Sequence, residues 1–489
     1  MKRIYVSGAM IAALALAGCK QPQPPPTPVP PAPTATGYGD VPPATASANV
    51  AAGVAQRFHV DMDVPAQWWT LFHSEELNAL VTEAIAKNPD IASAQAALRA
   101  ARESYVAQRS SAYPNAQGSF GVTRQQSPTF YAPPLNSNAY VYGIHTLSLD
   151  VAYTPDVFGN LRYQTLAAKA GVDIQRYQTE ATYLTLTSNV ALTAIQLASI
   201  RDQLATTHKI IEIDRKLIDL AKAQRTYAQA AGLDVLSQEA ALAAIEQTVP
   251  PLEKQLGQTR DQLARLLGRT PNDAPPAAFD LVASHLPEDL PLSLPSKLIV
   301  QRPDIAAATA TLVQAGDQVG VAYTNRLPNF SINAQTATQA LSLIGLFGPG
   351  SLLSVLTAQV AAPFYDHGTL KHREAAAIAQ YDEAAADYQG AVLSGFQNVA
   401  DSMVALTKDA DGLRAAASAD AAATKSLRIV QYQLRYGSVS ALAELNAEQT
   451  YQQAELAVVQ AQAARFSDTV ALFQALGGGW WNRAETTGS

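Results

Sequence analysis

The sequence predicts an α+β membrane protein made by tandem duplication, with two long α-helical hairpins and four β-strands per chain. Three observations predict it. A long stretch from Gly159 to Gly268 recurs from Gly368 to Gly477 at a constant shift of 209 (368 − 159 and 477 − 268). Ahead of each copy lie short runs in which apolar and polar residues alternate, the period of a strand. The chain also opens with a segment patterned as an export signal.

That segment is Lys2-Arg3, an apolar run from Ala9 to Leu16, and then Leu16-Ala17-Gly18-Cys19. Small residues before a cysteine mark a lipoprotein signal over residues 1–18, with Cys19 as the lipidated new terminus. Cys19 is the one cysteine of the chain, so no disulfide forms within it. Residues 19–43 are proline-rich without apolar periodicity and read as an extended tether. The formal charge is −7, and about −9 once Lys2 and Arg3 leave with the signal. No basic cluster stands out, which argues against a nucleic-acid partner. Beyond the signal no apolar run reaches the roughly 18 residues of a membrane helix. A membrane would have to be crossed by strands.

Asn88-Pro89-Asp90-Ile91-Ala92 matches Arg302-Pro303-Asp304-Ile305-Ala306, and Pro114-Asn115 matches Pro328-Asn329, at a shift of 214 (303 − 89 and 328 − 114). Asp90 and Asp304 follow prolines ahead of apolar-periodic runs, which is helix-start chemistry. Pro114 and Pro328 end those helices. The period then changes from about 3.6 to 2. Strands are expected at about 115–126, 140–155, 329–340 and 352–363, joined as two hairpins. Their polar face is Asn, Gln, Ser and Thr with few charges. The pattern alone fits a soluble sheet packed on a helix as well as strands between lipid and a wet lumen. Four strands cannot close a membrane barrel, whose minimum is about eight. Either the sheet is soluble, or several chains share one barrel; an exported lipoprotein favours the second.

Long helices are expected over 160–268 and 368–476. Val392, Phe396, Val399, Met403, Leu406, Ala410, Leu413 and Ala417 alternate four and three apart, a coiled-coil seam. Tyr183, Thr187, Val190, Ala194, Leu197, Arg201 and Leu204 keep the same phase in the first copy. A helix from near Asn160 to Tyr227 would be on the order of 100 Å long. The landmarks Tyr227/Tyr436, Leu233/Leu442, Leu236/Leu445 and Glu239/Glu448 coincide at the 209 shift, and the helical pattern breaks near Gly232 and Gly437. Pro250-Pro251 predicts a break in the first return helix, where the second copy has Val459-Gln460.

These residues resemble the outer-membrane efflux proteins of the TolC type, in particular the lipoprotein branch that includes OprM and NodT. The resemblance rests on Trp68-Trp69-Thr70-Leu71-Phe72, Leu77-Asn78-Ala79-Leu80, Asn88 to Ile91, Tyr153 to Arg162, Gln301 to Ile305 and Ala362 to Leu370, and runs from about Phe58 to Trp481. It implies a homotrimer whose twelve strands close one transmembrane β-barrel and whose helices form a periplasmic α-barrel. The two repeats would be 44–268 and 302–477, with an equatorial linker at 269–301 and a tail at 478–489. Segments 44–75, 269–301 and 477–489 would form a belt. Lys20 after the cysteine, where aspartate favours the inner membrane in such lipoproteins, implies the outer membrane of a Gram-negative bacterium. The implied partners are outer-membrane lipid, a periplasmic adaptor (membrane fusion) protein and an inner-membrane pump of the resistance-nodulation-division (RND) type. The channel would be passive.

The resemblance also makes the two turns the periplasmic tip. Tyr227, Gly232, Leu233, Leu236, Tyr436, Gly437, Leu442 and Leu445 are then the adaptor contacts. The carboxylates that narrow the tip in relatives are replaced here by Ala443 and Asn446, with Glu444 between them. Asp234 and Glu444 are the gate candidates; Asp234 reads equally as a helix-start carboxylate. No cofactor is expected besides the lipid on Cys19. His367 and His372 lack the spacing and carboxylate context of a zinc site, and no nucleophile elbow appears, so no enzyme is expected. Two other readings stand beside the efflux duct: a type I protein-secretion channel, and a coiled-coil lipoprotein that spaces the envelope without conducting.

Overall fold

The computed structural model describes residues 31–32, 43–60, 62–130, 139–226, 232–275, 279–281 and 283–483. In chain order the elements are β1 (Arg57–His59), α1 (Glu75–Lys87), α2 (Pro89–Ser110), β2 (Asn115–Gln126), β3 (Val141–Tyr153), α3 (Asn160–Thr226), α4 (Gly232–Glu246), α5 (Val249–Leu266), β4 (Asp289–Pro291), α6 (Pro295–Gln301), α7 (Pro303–Thr324), β5 (Asn329–Ala340), β6 (Leu352–Ala361), α8 (Thr369–Arg435) and α9 (Ala441–Ala475). They form two compact units: Arg99–Ile174 with Thr309–Asp387, and Pro31–Leu98 with Gln175–Ala308 and Tyr388 onward.

The first unit holds an antiparallel sheet in the order β2-β3-β5-β6, so each hairpin contributes one edge and one central strand. Asp156 starts α3 by accepting from the Leu161 and Arg162 amides at 3.0 and 2.8 Å. Asp366 does the same for α8 through Gly368 and Leu370 at 2.9 and 2.8 Å. Each carboxylate sits on the positive end of a 67-residue helix. Gly320 of α7 lies under the Tyr163 ring: a Cβ there would stand 2.5 Å from it. Arg326 pairs with Glu374 beside this crossing.

In the second unit the seam residues Val190, Ala194 and Leu197 of α3 and Val392, Val399, Met403, Leu406 and Leu413 of α8 are buried. One window of α3 is apolar enough for a membrane-crossing helix, against the expectation that none follows the signal. Two thirds of it, 67%, is buried inside the protein, because the seam's valine, alanine and leucine residues make it apolar. The first return helix breaks at Gln247-Thr248, and Pro250-Pro251 fall in the first turn of α5, where proline lacks no hydrogen bond.

The ends of the repeats are clamped alike. Gly268 (φ 69°) presses on the Lys87 carbonyl and Gly477 (φ 91°) on the Gln301 carbonyl, each leaving a Cβ only 2.5 Å of room. Asn88 Nδ2 donates to the Leu266 carbonyl at 2.8 Å, and Arg302 Nη1 to the Ala475 carbonyl at 2.9 Å. The same orphan helix-end carbonyl is thus satisfied in both copies.

Around these clamps lies the core. Trp68 stacks on Phe473 at 5.4 Å, and Phe466 meets Phe72 and Phe279 at 5.9 and 6.3 Å. Short strands β1 and β4 pair in parallel. Arg465 of α9, 1% exposed, donates to the Val54 carbonyl at 3.0 Å and to Gln56 Oε1 at 2.9 Å. Asn482 holds Asp63 at 2.9 Å. Pieces of 44–75, 269–301 and 477–489 therefore pack on one another within this unit.

Candidate functional site

The four strands have two different faces. In register, Phe120 lies opposite Leu147, Gly118 opposite Leu149, Tyr153 opposite Ile332, Phe330 opposite Val360 and Ala334 opposite Leu356. This face is apolar and open: Phe120, Val122, Leu149, Leu356 and Val360 are all exposed. The other face carries Gln117, Ser119, Ser148, Asp150, Asn333, Gln335 and Thr357 in facing positions. Both edge strands keep their outer backbone groups unpaired among the described residues. An open apolar sheet with free edges cannot stand in lipid alone, because unsatisfied backbone groups there cost several kcal/mol each.

Asp150 is fixed on the polar face. Gln335 Nε2 donates to its Oδ1 at 2.6 Å and Ser148 Oγ to its Oδ2 at 2.7 Å, while Ser119 and Ser148 hydroxyls meet at 2.8 Å. The other charged or imidazole side chains of the four strands, Arg124 and His145, fall on the apolar face in the strand alternation. Sequence reading registered only that charges were few; the alternation itself places Asp150 on the polar side.

The second helix turn is closed by Gly437 at φ 69°, with Ser438 N donating to the Gln433 carbonyl at 3.0 Å, a glycine C-cap. Tyr436 and Leu442 are exposed, and Tyr436 packs on Tyr432 at 4.8 Å. On the first turn Gly232 begins α4, and Leu233 and Leu236 are exposed at 72% and 62%. Leu445 differs from the expectation: it is buried at 8%, because position five of α9 faces inward. It packs and offers no surface to a partner. Glu444 is buried too, and burial raises its carboxyl above the ordinary value while Arg435 pulls it down. Cys19, Tyr227 and the side chain of Asp234 lie outside the described residues.

Further along the same helices lies a group that sequence reading missed. Asp214 of α3 and Glu448 of α9 are 4% and 0% exposed, and none of their four carboxyl oxygens has a hydrogen-bond partner among the described residues. The Gln452 amide acts on both carboxylates and holds both pKa values down. Burial, then the Asp214 charge, pushes Glu448 up to about 7. Burial also raises Asp214. Among the described residues no group of three or more His, Cys, Asp or Glu is arranged to hold a metal.

The comparisons with known proteins agree with this anatomy. The family described as Outer membrane efflux protein matches residues 80–269 and 294–478, one stretch per repeat. The chain is 26% identical over 418 residues to the pyoverdine export outer membrane protein OpmQ of Pseudomonas putida, covering 85% of this chain and 88% of OpmQ. It is 27% identical over 448 residues to the toluene efflux pump outer membrane protein TtgF of P. putida, covering 90% and 91%. Among solved structures, the outer-membrane channel OprN aligns with a TM-score of 0.81 at 24% identity, over 93% of this chain and 99% of OprN. VceC from Vibrio cholerae aligns at 0.78 and 24%, over 85% and 100%. These similarities show the α+β channel fold. The chain therefore belongs to the outer membrane efflux protein family and serves as an exit duct in the outer membrane of a Gram-negative bacterium.

Proposed function

We propose that three copies assemble into one passive duct, each giving four strands to a shared twelve-stranded barrel and its long helices to a periplasmic tube. The observation that carries this reading is the open sheet: among the described residues β2 and β6 are free edges, and the apolar face is exposed. Pairing β6 of one copy with β2 of the next satisfies both edges at once and leaves the polar faces around a lumen. Lipid on Cys19 anchors the assembly. Leu233, Leu236, Tyr436 and Leu442 form the surface offered to a periplasmic adaptor, and Asp234 and Glu444 are the gate candidates. An inner-membrane pump of the RND type supplies the energy, and the duct carries out small molecules such as drugs with no chemical step of its own. The names of OpmQ and TtgF, an exporter of pyoverdine and a pump component for toluene, support small organic cargo.

The test is the protein mass of the detergent-extracted particle, by light scattering that subtracts the detergent. Three chains are expected, with conductance in a planar bilayer. A stable monomer would sink the shared barrel.

A further inference from the structure

Asp150 is the one carboxylate on any of the four strands. It sits three residues before the end of β3, on the polar face, half-exposed, and is tethered from Ser148 on its own strand and Gln335 on the neighbouring strand. The tethers hold the carboxylate against the strand but bring no positive charge. All other polar groups named on that face are amides and hydroxyls, which stay neutral.

We propose that Asp150 sets the ion preference of the duct, three copies forming a ring of fixed negative charge near the helix-side end of the barrel. The inference rests on the shared-barrel reading. Twelve strands about 4.8 Å apart and tilted by about 40° enclose a backbone cylinder roughly 24 Å across. A carboxylate reaching inward stands roughly 8 Å from the axis. The screening length is about 10 Å at 0.1 M salt and about 3 Å at 1 M. At low salt the ring's field fills the lumen, attracting cations and repelling anions, as charged rings do in channels. At high salt the axis escapes it. The preference is for small cations and for cationic cargo, graded and salt-dependent.

Purified full-length protein in a planar bilayer under a tenfold KCl gradient centred near 0.1 M gives the test, read as reversal potential. The wild type is expected on the cation-selective side. Asp150→Asn, which keeps the shape and can still hydrogen-bond, should lower the K⁺/Cl⁻ permeability ratio by roughly three-fold, and the difference should vanish above about 1 M. Asp150→Lys should cross to anion preference. Gln335→Ala frees the carboxylate but keeps its charge, so its potential should match the wild type. Conducting Asp150→Asn pores with the wild-type potential at 0.1 M would overturn the inference and leave the duct standing. A wild-type protein that never conducts would instead overturn the duct.

Discussion

Glu239 and Glu448 hold the same place in the two repeats, yet their surroundings are opposite. Glu239 is half-exposed on α4 and meets Lys222 of α3 at 2.8 Å. Glu448 is fully buried on α9, and the charge facing it is another carboxylate, Asp214. At the 209 shift Lys222 falls on Gln431 and Asp214 on Ala423, so the second copy lacks the cation and has an apolar residue in place of the acid. The clamps behave otherwise: Gly268 and Gly477, with Asn88 and Arg302, do the same work at both ends. What stays alike is what backbone geometry demands. What diverges is side-chain electrostatics, where a helix of one copy meets a helix of the other.

Six substitutions probe this contrast. The largest effect is expected from Gly268→Val and Gly477→Val. Each puts a branched side chain at positive φ, a strain of about 1–2 kcal/mol, and drives a Cβ into a carbonyl at a further cost of about 1–3 kcal/mol. Thermal melting in detergent should show two similar losses; a mild effect at one glycine would break the equivalence of the clamps.

Next comes Glu448→Gln. A carboxyl raised from its ordinary 4.5 to about 7 in the folded state favours folding below the lower value. That stability is lost as pH rises between the two, because the folded state then binds the extra proton. The variant should match the wild type near pH 4 and exceed it near pH 8 by an amount on the order of 3 kcal/mol. A melting curve at pH 8 lower than the wild type would mean that the buried charge is paired after all.

Smaller losses, about 1–3 kcal/mol, are expected from Asn88→Ala and Arg302→Ala, since each strips the last partner from a helix-end carbonyl. Arg302→Ala should cost more, because the guanidinium also pairs with Asp304 at 2.7 Å. Denaturation midpoints of the two variants measure the difference, and reversed order would show the ion pair adds nothing. The smallest effect belongs to Glu239→Gln: its pairing with Lys222 is surface-exposed and screened, so the melting midpoint should stay close to that of the wild type.

Much of the fold was legible because it depends on period. The switch from 3.6 to 2 after Pro114 and Pro328 located the strands, the four-and-three spacing located the seam, and Pro250-Pro251 located the broken helix. The turns were legible from glycine. Burial within them was not: Leu442 and Leu445 look alike as letters, yet the helix turns one outward and the other inward. Asp214 and Glu448 escaped notice because a pair 234 positions apart (448 − 214) meets only when helices of the two repeats pack.

The clamps bear on how the chain reaches its fold. Asn88 and Leu266 are 178 positions apart, and Arg302 and Ala475 are 173 apart. Closing loops of this size costs entropy that grows as (3/2)RT ln n, so the two closures differ by only about 0.03 kcal/mol in this term. Neither repeat has a topological head start. Long helices form from local contacts while each clamp waits for its far end, so clamping is a late, slow event. Until it happens, two glycine-ended helices and two waiting carbonyls coexist in one chain, and pairing the wrong end with the wrong notch is the characteristic misfolding hazard of a duplicated protein.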